Sequence, residues 1–417
     1  MHQHRTPSLL IILLSILVLP GLTGCSAKLE EMRERYQPSS AREAYIQGLE
    51  DTGIDDSAVA IEWLKQGEEA LQSLIEPALP YREEGRLVAT DIMAVGYRLS
   101  LRRGQQLKVE ATAQGYFDVF IDVYELLEEE GLPPRRIASA DSGGVLEVDI
   151  HRTRDLLLRI QPEILSEGSF AVTIQTGASL VFPVAGRSTG SVGSFFGDIR
   201  DGGRRDHHGL DIFAPRGTPV VAVRPGLVRS TRTTGIGGKQ VWLRDEFGNS
   251  FYYAHLDEWL VSEGQRLAPG DTLGRVGNTG NARTTPPHLH FGIYQRGPHD
   301  PWPFVYTPDR SPRPVVVDQS VFGSWRQASV SDMTLRRAPD RASEPIAVID
   351  ASSPLLVIGG ARNWYHVRLA DGSVGYLEAS AMTGSLAVDR PNTRNRPSGQ
   401  GQRSVEPYNQ EEPVSGT

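Results

Sequence analysis

Cysteine occurs once in the 417 residues, at Cys25. That excludes a disulfide framework, and a metal site in the body of the chain must use nitrogen and oxygen donors rather than thiolates. Basic charge is also scarce: 43 Lys and Arg face 51 Asp and Glu, a formal net charge of −8. No basic stripe with interleaved aromatics occurs, so nucleic acid is not an expected partner. The apolar run Leu9 to Leu19 is too short to span a bilayer, which takes about 20 residues. No His-Glu-x-x-His is present, so no helical glutamate can serve as the base beside a metal. Hydrophobic residues make up 39% of the chain and charged ones 23%, which fits soluble globular modules joined by some unstructured sequence. The length points to two to four of them.

The amino terminus has the form of a secretory signal. His2, His4 and Arg5 precede the apolar run, which only Ser15 interrupts. Leu22-Thr23-Gly24-Cys25 resembles the lipobox of bacterial lipoproteins. The resemblance implies a signal peptide over 1–25 and lipidation of Cys25, which would place the protein on a membrane surface, not across it. Ser26, rather than an aspartate, resembles the outer-membrane signal of Gram-negative lipoproteins. The expected location is the cell envelope.

Five of the ten histidines lie between 207 and 290. They form three clusters: His207-His208-Gly209-Leu210-Asp211, Tyr253-Ala254-His255-Leu256 and His288-Leu289-His290-Phe291. Imidazole and carboxylate are donors that zinc accepts when thiolate is lacking. On a strand His288 and His290 share a face, their Cα atoms about 6.6 Å apart at roughly 3.3 Å per residue. Both could reach one ion, or one could bind it while the other acts on the reacting water; spacing alone does not choose. Extended chain would hold His207 and Asp211 about 13 Å apart, so the backbone is expected to bend at Gly209.

These clusters resemble the LytM/lysostaphin-type zinc metallopeptidases, which cut peptide cross-links of bacterial cell wall. The resemblance runs from about Val181 to Ile293 and includes Gly217-Thr218-Pro219-Val220-Val221-Ala222 and Gly277-Asn278-Thr279-Gly280. It implies zinc held by His207, Asp211 and His290, with His255 and His288 as catalytic histidines and peptidoglycan peptides as substrate. Gly292 departs from the family pattern, which commonly has an acidic residue there. A relative that kept the fold only to regulate another hydrolase, or as a wall-binding scaffold, would not need the complete set. Arg200, Arg204 and Arg205 lie in a glycine-rich approach loop and read as solvated charges or as contacts for a substrate carboxylate.

The rest of the chain predicts a mainly β multidomain protein. Residues 26–80 read as a helical hairpin. Ser40 and Glu43 have capping-box spacing, Gly53 is a stop, Asp55 or Asp56 caps the second helix, and Ile61, Leu64, Leu71 and Leu74 form its apolar stripe. Residues 81–180 carry short alternating runs such as Tyr97–Leu101 and Leu156–Ile160, which suggest an antiparallel β-sandwich. The β-rich peptidase domain spans 181–297, and a proline-rich linker 298–326 follows. Residues 327–384 resemble a bacterial SH3-like barrel, in which Trp364, Tyr365 and Tyr376 either bind wall peptides or pack the interior. Residues 385–417 have the composition of disorder.

Overall fold

The computed structural model describes residues 40–390, apart from 73, 92, 116, 128–131, 141–142, 201, 309–310 and 383. Cys25 and the tail beyond 390 lie outside the described residues. Among the described residues strands dominate, and the α-helices are Ala41–Thr52, Ala58–Glu69 and the single turn Trp302–Val305. Ser40 and Glu43 cap the first helix reciprocally, at 3.1 and 3.2 Å, and Gly53 ends it in the left-handed conformation at φ 67°. The second helix departs from expectation. Its cap is Ser57, whose hydroxyl accepts from Ala60 N at 3.2 Å, not Asp55 or Asp56. Its buried face is Ala60, Trp63 and Gly67, while Ile61 is exposed. Trp63 sets this choice: it packs on Tyr45 and Phe120 at centroid distances of 5.3 and 6.0 Å, and Leu71 and Leu74 lie beyond the helix end.

Two sheets face each other over one apolar core that includes Tyr97, Leu99, Leu156 and Leu158 on one side and Leu107, Val109, Val172 and Ile174 on the other. The strand Tyr81–Leu87 in this unit was hidden by the polar run Arg82-Glu83-Glu84. It pairs with Gly168–Ala178 on one edge and, through Glu84 and Gly85, with Gly360 and Gly359 on the other. That second pairing fuses the carboxy-terminal strands into the same 11-stranded sheet. Glycine permits it, because a Cβ on Gly359 would lie 2.5 Å from the Glu84 carbonyl. Trp364 and Tyr376 join the first core, and Tyr365 packs the carboxy-terminal one. All three are buried, so they pack the interior and offer no aromatic surface to a wall peptide.

The seam holds a buried polar cluster. Glu83 and His366 are both fully buried, with a His366 ring nitrogen in hydrogen-bonding contact with the Glu83 carboxylate. Tyr376 donates to the same carboxylate at 3.0 Å, and Tyr81 donates to it as well. Burial pushes the Glu83 carboxyl up, but His366 and the tyrosine hydroxyls outweigh it and hold it below its ordinary value. A carboxylate lowered on folding adds stability that is complete above the unfolded pKa of about 4.3 and is lost as pH falls through the folded value. Glu83→Ala is expected to cost about 3–5 kcal/mol, since it strands a buried partner. Urea unfolding followed from both units should show them lose stability together; a change below about 1 kcal/mol would show that the cluster does not hold the seam.

The third core belongs to the β-rich unit carrying the histidines. Its main sheet runs, in spatial order, Val192–Ser194, Leu210–Phe213, His288–Tyr294, Ser250–Leu256, Gly238–Arg244, Gly226–Thr234 and Arg266–Leu267. Alternation along His288–Tyr294 buries Leu289, Phe291 and Ile293 against Ile212, Phe251 and Tyr253. His288, His290 and Gly292 therefore share the other face. The expected linker 298–326 is not a spacer throughout. Pro298–His299 pairs with Ile293 and Tyr294, Val305 is buried in this core, and Val317, Val321 and Phe322 pack into the carboxy-terminal one. Its prolines masked these apolar anchors. Within the expected tail, Leu386–Ala387 pairs with Arg326 and Gln327.

Candidate metal centre

Antiparallel register sets Asp211 directly opposite His290, and Phe213 opposite His288. Both strands turn these residues to one face. His207 reaches the same point from a loop, where its backbone N donates to Asp198 O at 2.9 Å and its carbonyl accepts from Gly197 N at 2.8 Å. The close return at Gly209 is a matter of space, not of unusual dihedrals. A Cβ there would lie 2.4 Å from Phe291 O and 2.9 Å from the His290 ring.

Three donor atoms converge. His207 Nε2 lies 3.0 Å from Asp211 Oδ1 and 2.9 Å from His290 Nδ1, and the last two are 3.0 Å apart. His207 Nδ1 is 2.8 Å from Phe195 O. That carbonyl can only accept, so a neutral His207 carries its proton there and turns a lone pair into the cluster. A lone pair then faces a carboxylate oxygen at hydrogen-bond distance, with His290 alone left to supply a hydrogen. Such a set of acceptors calls for a cation, and atoms this close can share one ion with bonds of about 2 Å. The groups fit zinc in number and kind. Burial pushes the Asp211 carboxyl up, but the adjacent His207 and His290 outweigh it and hold it far below its ordinary range. His290 is lowered by burial, against the pull of Asp211.

His255 and His288 stand beside this triad. Their ring centroids are 5.0 Å apart, and His255 is 5.9 Å from His290. His288 Nε2 is 3.9 Å from Asp211 Oδ1. Each gives Nδ1 to a backbone carbonyl: His255 to Thr279 O and His288 to Pro286 O, both at 2.9 Å. With Nδ1 committed in this way, the neutral form of each ring presents an Nε2 lone pair. His255 adopts φ 60°, a costly conformation for a non-glycine residue that tends to occur at functional sites. It sits where register shifts between the Gly238–Arg244 and Ser250–Leu256 strands, and such bulges re-aim side chains. Its N donates to Gly237 O at 2.8 Å. The Gly277–Gly280 turn thus has a physical role: Thr279 seats His255 through its carbonyl and ties down Leu256 O through its hydroxyl at 2.8 Å. Burial, with repulsion from His288 and His290, lowers the His255 pKa to about 4, so it is neutral at pH 7.

The groove over these groups has a volume of about 540 Å³ and is walled by residues 193–294, including Arg200, Phe213, Ile236, Tyr252 and Asn281. Among the described residues, neither the helices nor the other two cores contribute to its lining. A larger cavity of about 750 Å³, between Glu76–Pro80 and Tyr306–Pro308, contains none of the five groups. All five sequence-predicted residues therefore meet in one groove. His208 lies at its edge, stacked on Phe196 at 6.1 Å. Four participants were not singled out as site residues: Arg200, which ion-pairs with Asp211 at 2.8 Å, and the carbonyls of Phe195, Thr279 and Pro286. The arginine was visible as a groove-loop charge; the carbonyls leave no side-chain signal.

A triad of N/O donors beside two further imidazoles in one groove is an arrangement that could hold a metal ion. The family model described as Peptidase family M23 matches residues 205–301. The L-Ala–D-Glu endopeptidase of Bacillus subtilis is 37% identical over 131 residues, which is 30% of this chain and 40% of that protein. The peptidoglycan DD-endopeptidase ShyC of Vibrio cholerae is 38% identical over 93 residues, 22% of this chain and 21% of that protein. The chain thus spans about two-fifths of the first relative and one-fifth of the second. The catalytic domain of lysostaphin from Staphylococcus simulans aligns at 32% identity and a TM-score of 0.26, over 27% of this chain and 90% of that one.

Proposed function

We propose that the protein is a zinc metalloendopeptidase of the bacterial envelope that hydrolyses peptide bonds of peptidoglycan. One observation carries this reading: His207, Asp211 and His290 bring three donor atoms within 3.0 Å of one another, with two Nε2 lone pairs alongside. Zinc held there would supply Lewis acidity to the scissile carbonyl and acidify the attacking water. His288 takes the proton from that water, its ring oriented by Pro286 O. His255, neutral and held by Thr279 O, accepts a hydrogen bond through Nε2. That role suits orienting the nucleophile better than donating to an oxyanion. Among the described residues, only the histidine-bearing unit lines the groove.

The two relatives are named for different wall bonds, so the test reads both. Purified sacculi digested with the zinc-loaded protein should release fragments with new amino termini, identified by mass spectrometry. Intact sacculi after digestion with protein shown to hold equimolar zinc would refute the reading. The membrane part of the proposal rests on the Leu22–Cys25 sequence; among the described residues no helix is long and apolar enough to cross a membrane. Cys25→Ser is expected to move the protein from the membrane fraction to the soluble one. Recovery of that variant with membranes would count against lipidation.

A further inference from the structure

We propose that Arg200 is a positioning residue that restricts Asp211 to one-oxygen donation and so keeps a place at the metal open. The proposal rests on the metal-site reading above. Asp211 turns its two oxygens to different partners. Oδ1 lies 3.0 Å from both His207 Nε2 and His290 Nδ1, and Oδ2 accepts from Arg200 Nη2 at 2.8 Å. A carboxylate with both oxygens free can grip an ion through both. With Oδ2 held by a guanidinium, only Oδ1 remains. Two nitrogens and one oxygen then leave a tetrahedral ion one position short, the arrangement a catalytic centre requires.

Arg200 is placed for this by its own loop. The Ile199–Arg200 pair is hydrogen-bonded to Arg205–Asp206 in a two-stranded hairpin. Arg200 Nη2 also donates to Ser194 Oγ, and Ser194 in turn donates to Asp198 Oδ2 at 2.7 Å. Phe195 N donates to the same oxygen at 2.8 Å, while Phe195 O fixes His207. One short loop therefore disciplines two of the three donors, His207 through a carbonyl and Asp211 through a guanidinium. An exposed ion pair would carry no such consequence, but both side chains here are mostly shielded, at 29% and 14% exposure.

The test uses the full chain loaded with cobalt(II) in place of zinc, as wild type, Arg200→Met and Arg200→Lys. Cobalt absorbs strongly in the visible when four-coordinate and weakly when five-coordinate. Wild type is expected to show the strong spectrum. Arg200→Met should keep equimolar cobalt with weakened bands, and zinc-loaded hydrolysis should fall about 10–100-fold, the usual cost of losing an outer partner. Arg200→Lys, which keeps a charged donor, should recover part of the band intensity. A wild-type spectrum in Arg200→Met overturns the proposal, as does loss of metal that Arg200→Lys does not restore. Wild type that binds neither metal overturns the metal-site reading instead, a separate failure.

Discussion

His207→Ala protein is expected to purify folded, without zinc and without hydrolytic activity. The substitution removes one of three donors and leaves Asp211 and His290 as a pair, too few to hold the ion in competition with water. The loss should exceed the roughly 10–100-fold effect of an outer partner, because the deleted atom itself is 2.9–3.0 Å from both remaining donors. His207 is buried, so its removal also vacates space beneath the 194–207 loop. The surrounding sheet does not depend on that ring, since its core is Leu210, Ile212, Leu289 and Phe291 on the opposite face. Circular dichroism should therefore be unchanged while metal content falls to background. Equimolar zinc in this variant, held with wild-type affinity against a chelator, would sink the assignment of His207.

Much of this site was legible because its chemistry resides in side chains. Three histidine clusters in order, with glycine turns between, marked the five groups, and period-two alternation in His288–Tyr294 announced which of them share a face. What stayed hidden has physical reasons. Backbone carbonyls at Phe195, Thr279 and Pro286 fix three imidazoles, and any residue could supply them. Arg200 reads as a surface charge until the hairpin folds it onto Asp211. Glu83 disguised a central strand because a buried carboxylate looks like solvent-facing sequence unless its distant partners His366 and Tyr376, 283 and 293 residues later in the chain, are known. The same distance hid the fusion of the carboxy-terminal unit, which depends on Gly359 and Gly360 admitting a neighbouring strand. In the second helix periodicity alone favours a face that includes the exposed Ile61, because one tryptophan, Trp63, outweighs the smaller residues in choosing the buried face.

His288→Ala should give the opposite pattern from His207→Ala: equimolar zinc retained, turnover lowered about 10²–10⁴-fold, the range for loss of a general base. The two strand neighbours His288 and His290 differ in what their Nδ1 atoms do. His290 Nδ1 closes the donor triangle, at 2.9 and 3.0 Å from its partners. His288 Nδ1 is committed to Pro286 O, and its Nε2 remains 3.9 Å from Asp211 Oδ1, outside that triangle but within reach of a molecule bound there. Deleting it removes a proton acceptor without removing a donor to the ion. The loss should therefore appear in kcat with KM little changed, as for a group that acts only in the transition state. His290→Ala, one face position away, should instead lose the metal. Zinc loss in His288→Ala, or zinc retention in His290→Ala, would mean that the pair is divided the other way and that the proton acceptor must be sought at His255 or His290.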